Sequence, residues 1–149
     1  FHISSCGLRF FNVYGPNQNA NSPYSAVIPI FINNMKKNRP ITINGGYQTR
    51  DFIYVDDVIK LIEISMKKIQ TKKDHCVFNV GTGRSVNISF LYKLINKIIP
   101  NRSKVIRRKL NEFDPKKSSG TFKKFNKHLN TKKFKFTKLE DGILKSITS

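Results

Sequence analysis

The chain has 149 residues, with 28 Lys and Arg against 9 Asp and Glu, giving a formal net charge of +19. That length suits one domain or a portion of a larger one, and no apolar run approaches the roughly 18 residues that a membrane span needs. Cys6 and Cys76 stand far apart without a CxxC or a Cys/His cluster, which argues against a disulfide framework or a metal site and fits a reducing, cytoplasmic setting.

The first element in chain order is the run Leu8-Arg9-Phe10-Phe11-Asn12-Val13-Tyr14, closed by Gly15-Pro16. Its apolar residues suit a buried strand, in which Arg9 and Asn12 are tolerated only with partners. Local backbone could supply those partners, and so could a ligand at the strand end. Because the chain enters this strand within eight residues of Phe1, it is expected to be the C-terminal part of a longer protein. Val27, Ile28, Phe31, Ile32 and Met35 then recur at helical spacing, with Pro29 in the first turn, where proline is tolerated. Ile41-Thr42-Ile43 predicts a short strand ending in the turn Asn44-Gly45-Gly46.

The segment from Gln48 to Val58 has an apolar core, Phe52 to Val55, that predicts a strand delivering the chain to a helix reaching Ile69. Asp56 and Asp57 fall where the N-cap and the first-turn anion belong, so capping outweighs metal binding or paired acid/base chemistry as their role. Val77 to Val80 predicts another strand. The Gly81-Thr82-Gly83 that follows lacks the third glycine of a dinucleotide fingerprint, and reads as a tight crossover into a helix over 90–99 capped by Ser89. Pro100 ends that helix, Val105-Ile106 predicts an edge strand, and Leu139 to Ile143 opens a last helix. Strands alternating with helices argue for an α/β fold with a partly parallel sheet.

Half of the basic residues, 14 of 28, lie in the segment 102–138, opposed only by Glu112 and Asp114. Lys interleaved with Phe, as in Lys132-Lys133-Phe134-Lys135-Phe136, fits a nucleic-acid surface or a solvated face with core-facing aromatics. The solvated reading is favoured, because no nucleic-acid motif accompanies the charge.

Three segments in order, Leu8 to Pro16, Gln48-Thr49-Arg50-Asp51-Phe52-Ile53-Tyr54-Val55-Asp56-Asp57-Val58 and Phe78-Asn79-Val80-Gly81-Thr82-Gly83, resemble the C-terminal half of the NAD-dependent epimerase/dehydratase family. These are extended short-chain dehydrogenases acting on nucleotide sugars, and the likeness is greatest to members that act as UDP-glucose 4-epimerases. It runs through nearly all of residues 1–149 and includes the closing Leu139-Glu140-Asp141-Gly142-Ile143. It implies the last strands of a Rossmann-like sheet joined to the small nucleotide-sugar-binding domain. The NAD-binding half would lie upstream, and the full-length protein would form a homodimer.

By this resemblance Phe11 lies against the nicotinamide end of NAD, and Asn12 and Arg50 hold the diphosphate of a UDP-sugar. Ala26 and Val27 line the base through their backbone, Thr42 and Asn44 meet it from the other side, and Asp114 takes the ribose. Asn111 stands where the family has a second phosphate-binding arginine, a loss that Arg107 or Arg108 could make good. Arg50 could also pair within the chain, with Asp51 beside it. The family's catalytic Tyr-x-x-x-Lys is not found in this sequence: none of the five tyrosines has Lys four residues later. The resemblance thus implies no catalytic residue here, and a fragment that is inactive and unstable alone. The complete protein is expected to carry out 4-epimerisation through a 4-keto sugar; a 4,6-dehydratase of the same family and a basic nucleic-acid-binding module are the alternatives.

Overall fold

The computed structural model describes residues 3–21, 26–69, 75–100, 102 and 104–148. Seven strands and five helices are formed by them. In chain order they are β1 (Ser5–Phe10), β2 (Asn12–Tyr14), α1 (Val27–Lys36), β3 (Ile41–Asn44), β4 (Thr49–Tyr54), α2 (Val55–Ile69), β5 (His75–Val80), β6 (Ser85–Asn87), α3 (Ile88–Ile98), β7 (Val105–Arg108), α4 (Lys123–Leu129) and α5 (Leu139–Thr148).

Three small sheets carry the chain. β1 pairs with β5 in parallel, β3 pairs with β7 in parallel, and β4 lies between β2, parallel to it, and β6, antiparallel to it. The expected α/β class with partly parallel pairing is what the structure has. The opening strand, however, is two strands rather than one. Phe10 pairs with Val80 at the end of β5, whereas Asn12 already pairs with Phe52 of β4. At the change of partner, Phe11 N–H still donates to Val80 O at 3.4 Å while Phe11 O accepts from Val13 N–H at 3.0 Å.

β4 is buried from Asp51 to Tyr54 and separates two cores. Its side chains alternate across the pleat: Phe52 and Tyr54 join Phe31, Met35, Ile43 and Leu91, whereas Ile53 joins Leu61, Phe78, Val80 and Phe125. At roughly 2 kcal/mol for each large side chain removed from water, these two clusters dominate the stability of the unit.

The helix starts differ from expectation for local reasons. α2 begins at Val55, one residue before the aspartate pair, so both acids lie in its first turn. The charge favours the helix N-terminus there, but Asp57 does not act as the cap. Its carboxylate accepts from Thr137 N–H at 2.7 Å and from Thr137 Oγ1 at 3.0 Å. α3 is capped by Asn87, whose Oδ1 accepts from Phe90 N–H at 2.7 Å, rather than by Ser89, whose N–H donates to Gly46 O at 2.9 Å. The basic segment 102–138 contains a helix the composition concealed, α4. Phe113 is exposed, but four other phenylalanines of the segment cluster: Phe122 packs on Phe125, Phe134 and Phe136 with ring centroids 5.0–5.7 Å apart.

Candidate functional site

The site is built around the start of β4 and the ends of its neighbours. β3 presents alternate faces, burying Ile41 and Ile43 in the core and turning Thr42 and Asn44 outward. The turn beyond it is pinned by Gln48, a buried side chain whose Oε1 accepts from Gly46 N–H and whose Nε2 donates to Asn44 O, both at 2.7 Å. Gly45 and Gly46 adopt φ of 65° and 92°, values that favour glycine. From the other side, α1 begins at Val27 with Ala26 at its cap position, a residue whose side chain makes no capping hydrogen bond. Backbone N–H groups at such a helix start lack intrahelical partners and favour an electronegative group.

These elements enclose a cleft of about 280 Å³. All seven residues expected at a substrate line it: Asn12, Ala26, Val27, Thr42, Asn44, Arg50 and Asp114. Gln48, Ile30, Phe31, Phe52 and Ile88 complete its wall. Sequence reasoning missed these, although the spacing of Gln48 after Gly45-Gly46 was a signal for a side chain folded back on the turn. Larger hollows, about 520 Å³ between β1 and α2 and about 440 Å³ between α2 and the segment after α4, contain none of the seven. The smaller cleft is the better candidate because polar groups from several separate segments converge on an apolar wall.

Among the described residues Arg50 is the only positively charged one lining the cleft, and its side chain is 14% exposed. Nη1 donates to Thr49 O at 2.8 Å and to Pro115 O at 2.7 Å, while Nη2 donates to the carboxylate of Asp114. The alternative pairing partner beside it, Asp51, points the other way. Its buried carboxylate accepts from Gly83 N–H and Gly120 N–H at 2.9 Å, from Thr82 N–H at 3.1 Å and from Thr82 Oγ1. The glycines around it serve close approach: a Cβ on Gly81 would come within 2.5 Å of Gly120 Cα. Thus the N–H groups of Thr82 and Gly83, which in a dinucleotide loop would face phosphate, face a protein carboxylate here. Rather than a simple crossover, this loop leads into β6 and then α3.

Asn12 begins β2 and donates from Nδ2 to Asp51 O at 3.1 Å, which fixes its amide at the cleft. Phe11 does not line the cleft; its ring lies where a Cβ on Gly120 would meet it at 2.7 Å. Asn111 Oδ1 accepts from Phe113 N–H at 3.0 Å, so it shapes the turn that carries Asp114. Arg107 and Arg108 are exposed on β7 and are not part of the cleft wall. Among the described residues no group of three or more His, Cys, Asp or Glu side chains could hold a metal ion, and no helix is long and apolar enough to cross a membrane.

Comparison with known proteins agrees with this architecture. Residues 1–81 match the model of the NAD dependent epimerase/dehydratase family. A Methanocaldococcus jannaschii protein provisionally named UDP-glucose 4-epimerase is 38% identical over 106 residues, covering 70% of this chain and 33% of that protein. A Dictyostelium discoideum dTDP-D-glucose 4,6-dehydratase is 34% identical over 90 residues, covering 59% of this chain and 19% of its own. Among solved structures, the UDP-glucose 4-epimerase of Thermotoga maritima with UDP-glucose superposes with a TM-score of 0.85 at 30% identity, over 96% of this chain and 44% of that one. The chain spans about a third or less of the length of the curated relatives it matches.

Proposed function

The chain belongs to the NAD dependent epimerase/dehydratase family, and from that premise we propose that its cleft binds the nucleotide diphosphate of a sugar substrate in an NAD-dependent epimerase. The observation that carries this reading is the convergence of Asn12, Arg50, Asp114 and the start of α1 on one cleft.

Each group has a task that its chemistry suits. The guanidinium of Arg50 offers a planar fork of donors to a diphosphate. Asn12 has a second amide N–H besides the one given to Asp51 O, and this N–H is available to a phosphate oxygen. The carboxylate of Asp114 accepts ribose hydroxyls. The backbone at Ala26 and Val27, with Thr42 and Asn44 opposite, forms a slot for a pyrimidine's carbonyl and N–H edge. Holding the nucleotide this firmly turns binding energy remote from the reacting carbon into orientation of the sugar ring.

NAD, when bound, supplies the reversible acceptance of hydride. The residue of this chain that fits it is Phe11, an aromatic ring held on Gly120 just beyond the ends of parallel strands β1 and β5. That edge is where open parallel sheets receive ligands. Four-epimerisation is the favoured outcome, supported by the likeness to the epimerases above; the comparable identity to a 4,6-dehydratase makes dehydration the competing one.

The test is turnover and affinity in the complete protein that carries these residues, given UDP-sugars and NAD. Arg50→Ala should weaken UDP-sugar binding by about tenfold or more, the loss of one charged hydrogen bond. An unchanged affinity would remove Arg50 from the site. Release of an epimer would support the preferred reaction, and release of a 4-keto-6-deoxy sugar the dehydratase.

A further inference from the structure

The lysines that follow Asp114 have no acids interspersed among them. Between Asp114 and Glu140 the chain carries nine Lys and no Asp or Glu. Two of them, Lys132 and Lys133, occupy the centre of a tight turn in which Phe134 N–H donates to Thr131 O at 2.8 Å. The turn is held at both ends. Thr131 is buried and its hydroxyl donates to Asn126 Oδ1 at 3.2 Å, while the Phe134 ring packs on Phe122 and Phe136 with centroids 5.7 and 5.1 Å away. Both lysines are exposed, and neither forms an ion pair among the described residues.

This turn is one side of the hollow of about 440 Å³ beside α2, which contributes Ile64 and Lys68 from the other side. Lys68 reaches the end of α4, where its ammonium donates to Leu129 O and, at 3.4 Å, to Asn130 O. Carbonyls at a helix end lack intrahelical partners, so this contact ties the two sides of the hollow together. Half-buried Ile64 and Phe134 supply an apolar wall, and Lys68, Lys132 and Lys133 surround it. Among the described residues no Asp or Glu lines the hollow; Glu63, next to Ile64 in sequence, is not in its wall. Cations gathered without an acid raise the local potential and favour an anionic partner.

The apolar wall narrows the choice among anions. A free phosphate would answer the charges and leave the wall wet. A nucleic-acid strand needs cations spread along its path, whereas these converge on one short hollow. A peptide with a large apolar side chain set between carboxylates meets both demands. We infer that the hollow docks an acidic segment of a partner protein, which inserts one apolar side chain against Ile64 and Phe134 and lays its carboxylates over Lys68, Lys132 and Lys133. Exposed ion pairs contribute little one at a time, so the apolar anchor and the charges act together. The surface shares no lining residue with the nucleotide cleft. Docking there holds the protein to a partner while leaving the cleft open.

Fluorescence anisotropy of the complete protein with short labelled probes at low ionic strength tests this. The probes are a peptide of Asp and Glu with one central Phe, the same peptide with Ala in place of that Phe, and an oligothymidylate. The Phe peptide should bind about tenfold tighter than the Ala peptide, as expected for a large side chain taken out of water. Lys132→Glu/Lys133→Glu should weaken the Phe peptide by about tenfold or more, and Lys132→Gln/Lys133→Gln by a smaller factor in the same direction. Lys93→Glu/Lys97→Glu makes the same change of net charge at exposed positions of α3 and should weaken it by less than about threefold. Failure of the Phe peptide to bind the wild type, equal affinity for the two peptides, or equal losses in the two Glu variants overturns the proposal. So does tighter binding of the oligothymidylate that is lost in Lys132→Glu/Lys133→Glu, which would make the surface a nucleic-acid site.

Discussion

Asp51 shows how much one side chain can organise without touching a substrate. Four donors from two loops end on its carboxylate, and its backbone oxygen orients Asn12 at the cleft. In Asp51→Ala, the N–H groups of Thr82, Gly83 and Gly120 lose their acceptor, a loss of about 3 kcal/mol or more. Urea unfolding of the complete protein should register it, and ligand affinity should fall with it through the loosened Asn12. Cys6 offers a second residue-scale expectation. It lies opposite Cys76 across the β1–β5 ladder, and burial, followed by the neighbouring Cys76 thiol, pushes its pKa from 9.0 up to about 11. Below pH 9 the folded and unfolded chains both hold this proton. Between pH 9 and 11 the unfolded chain loses it first, so the folded state binds more protons and stability falls as pH rises. Alkylation of Cys6 by iodoacetamide, followed by peptide mass mapping, should accelerate only as pH approaches 11; rapid labelling near pH 8 would contradict the shift.

At the scale of elements, α5 is held to the rest by contacts far apart in sequence. Asp57 at the start of α2 ties down Thr137, and the buried Tyr14 of β2 donates from its hydroxyl to Leu139 O at 3.3 Å. Gly142 completes the fit, for a Cβ there would lie 2.1 Å from the Tyr14 hydroxyl oxygen. Gly142→Ala would gain up to about 1 kcal/mol of helix propensity but force apart a packed contact worth about 1–3 kcal/mol. A net loss is expected in chemical denaturation, and adding Tyr14→Phe should recover part of it, since the hydroxyl is the group in the way. The elements most legible in the sequence were those whose apolar period was unbroken: α1, α2, α3 and the core of β4. Asn87 was passed over because a serine stood two residues further on, and α4 because lysines hid the buried Phe125 and Leu129. The break at Phe11 left no local mark, since it depends on where β5 ends and β4 lies. The seven cleft residues were legible through the resemblance, not through periodicity. The Arg50–Asp114 pair was not, because it joins positions 64 apart through a turn that only the folded chain forms.

For the molecule as a whole, the free face is on β1. Among the described residues this strand pairs only with β5, and beside it runs the apolar hollow of about 520 Å³ lined by Leu8, Phe10, Ile62 and Met66. An uncovered edge and an apolar face favour association. The isolated 149-residue chain should therefore aggregate on heating without a cooperative transition in circular dichroism, and a reversible two-state melt would count against this. The whole also depends on the frame of β4. Arg50 and Phe52 face the cleft, whereas Asp51 and Ile53 face the loop cradle and the second core. A slip of one residue turns every side chain of a strand to the opposite face. Here it would do more than expose a hydrophobe: a carboxylate would enter the cleft proposed to take an anion, and a guanidinium would meet a ring of N–H donors. The polarity of both places would invert in one step, so a one-residue deletion within this strand should abolish ligand binding and folding together.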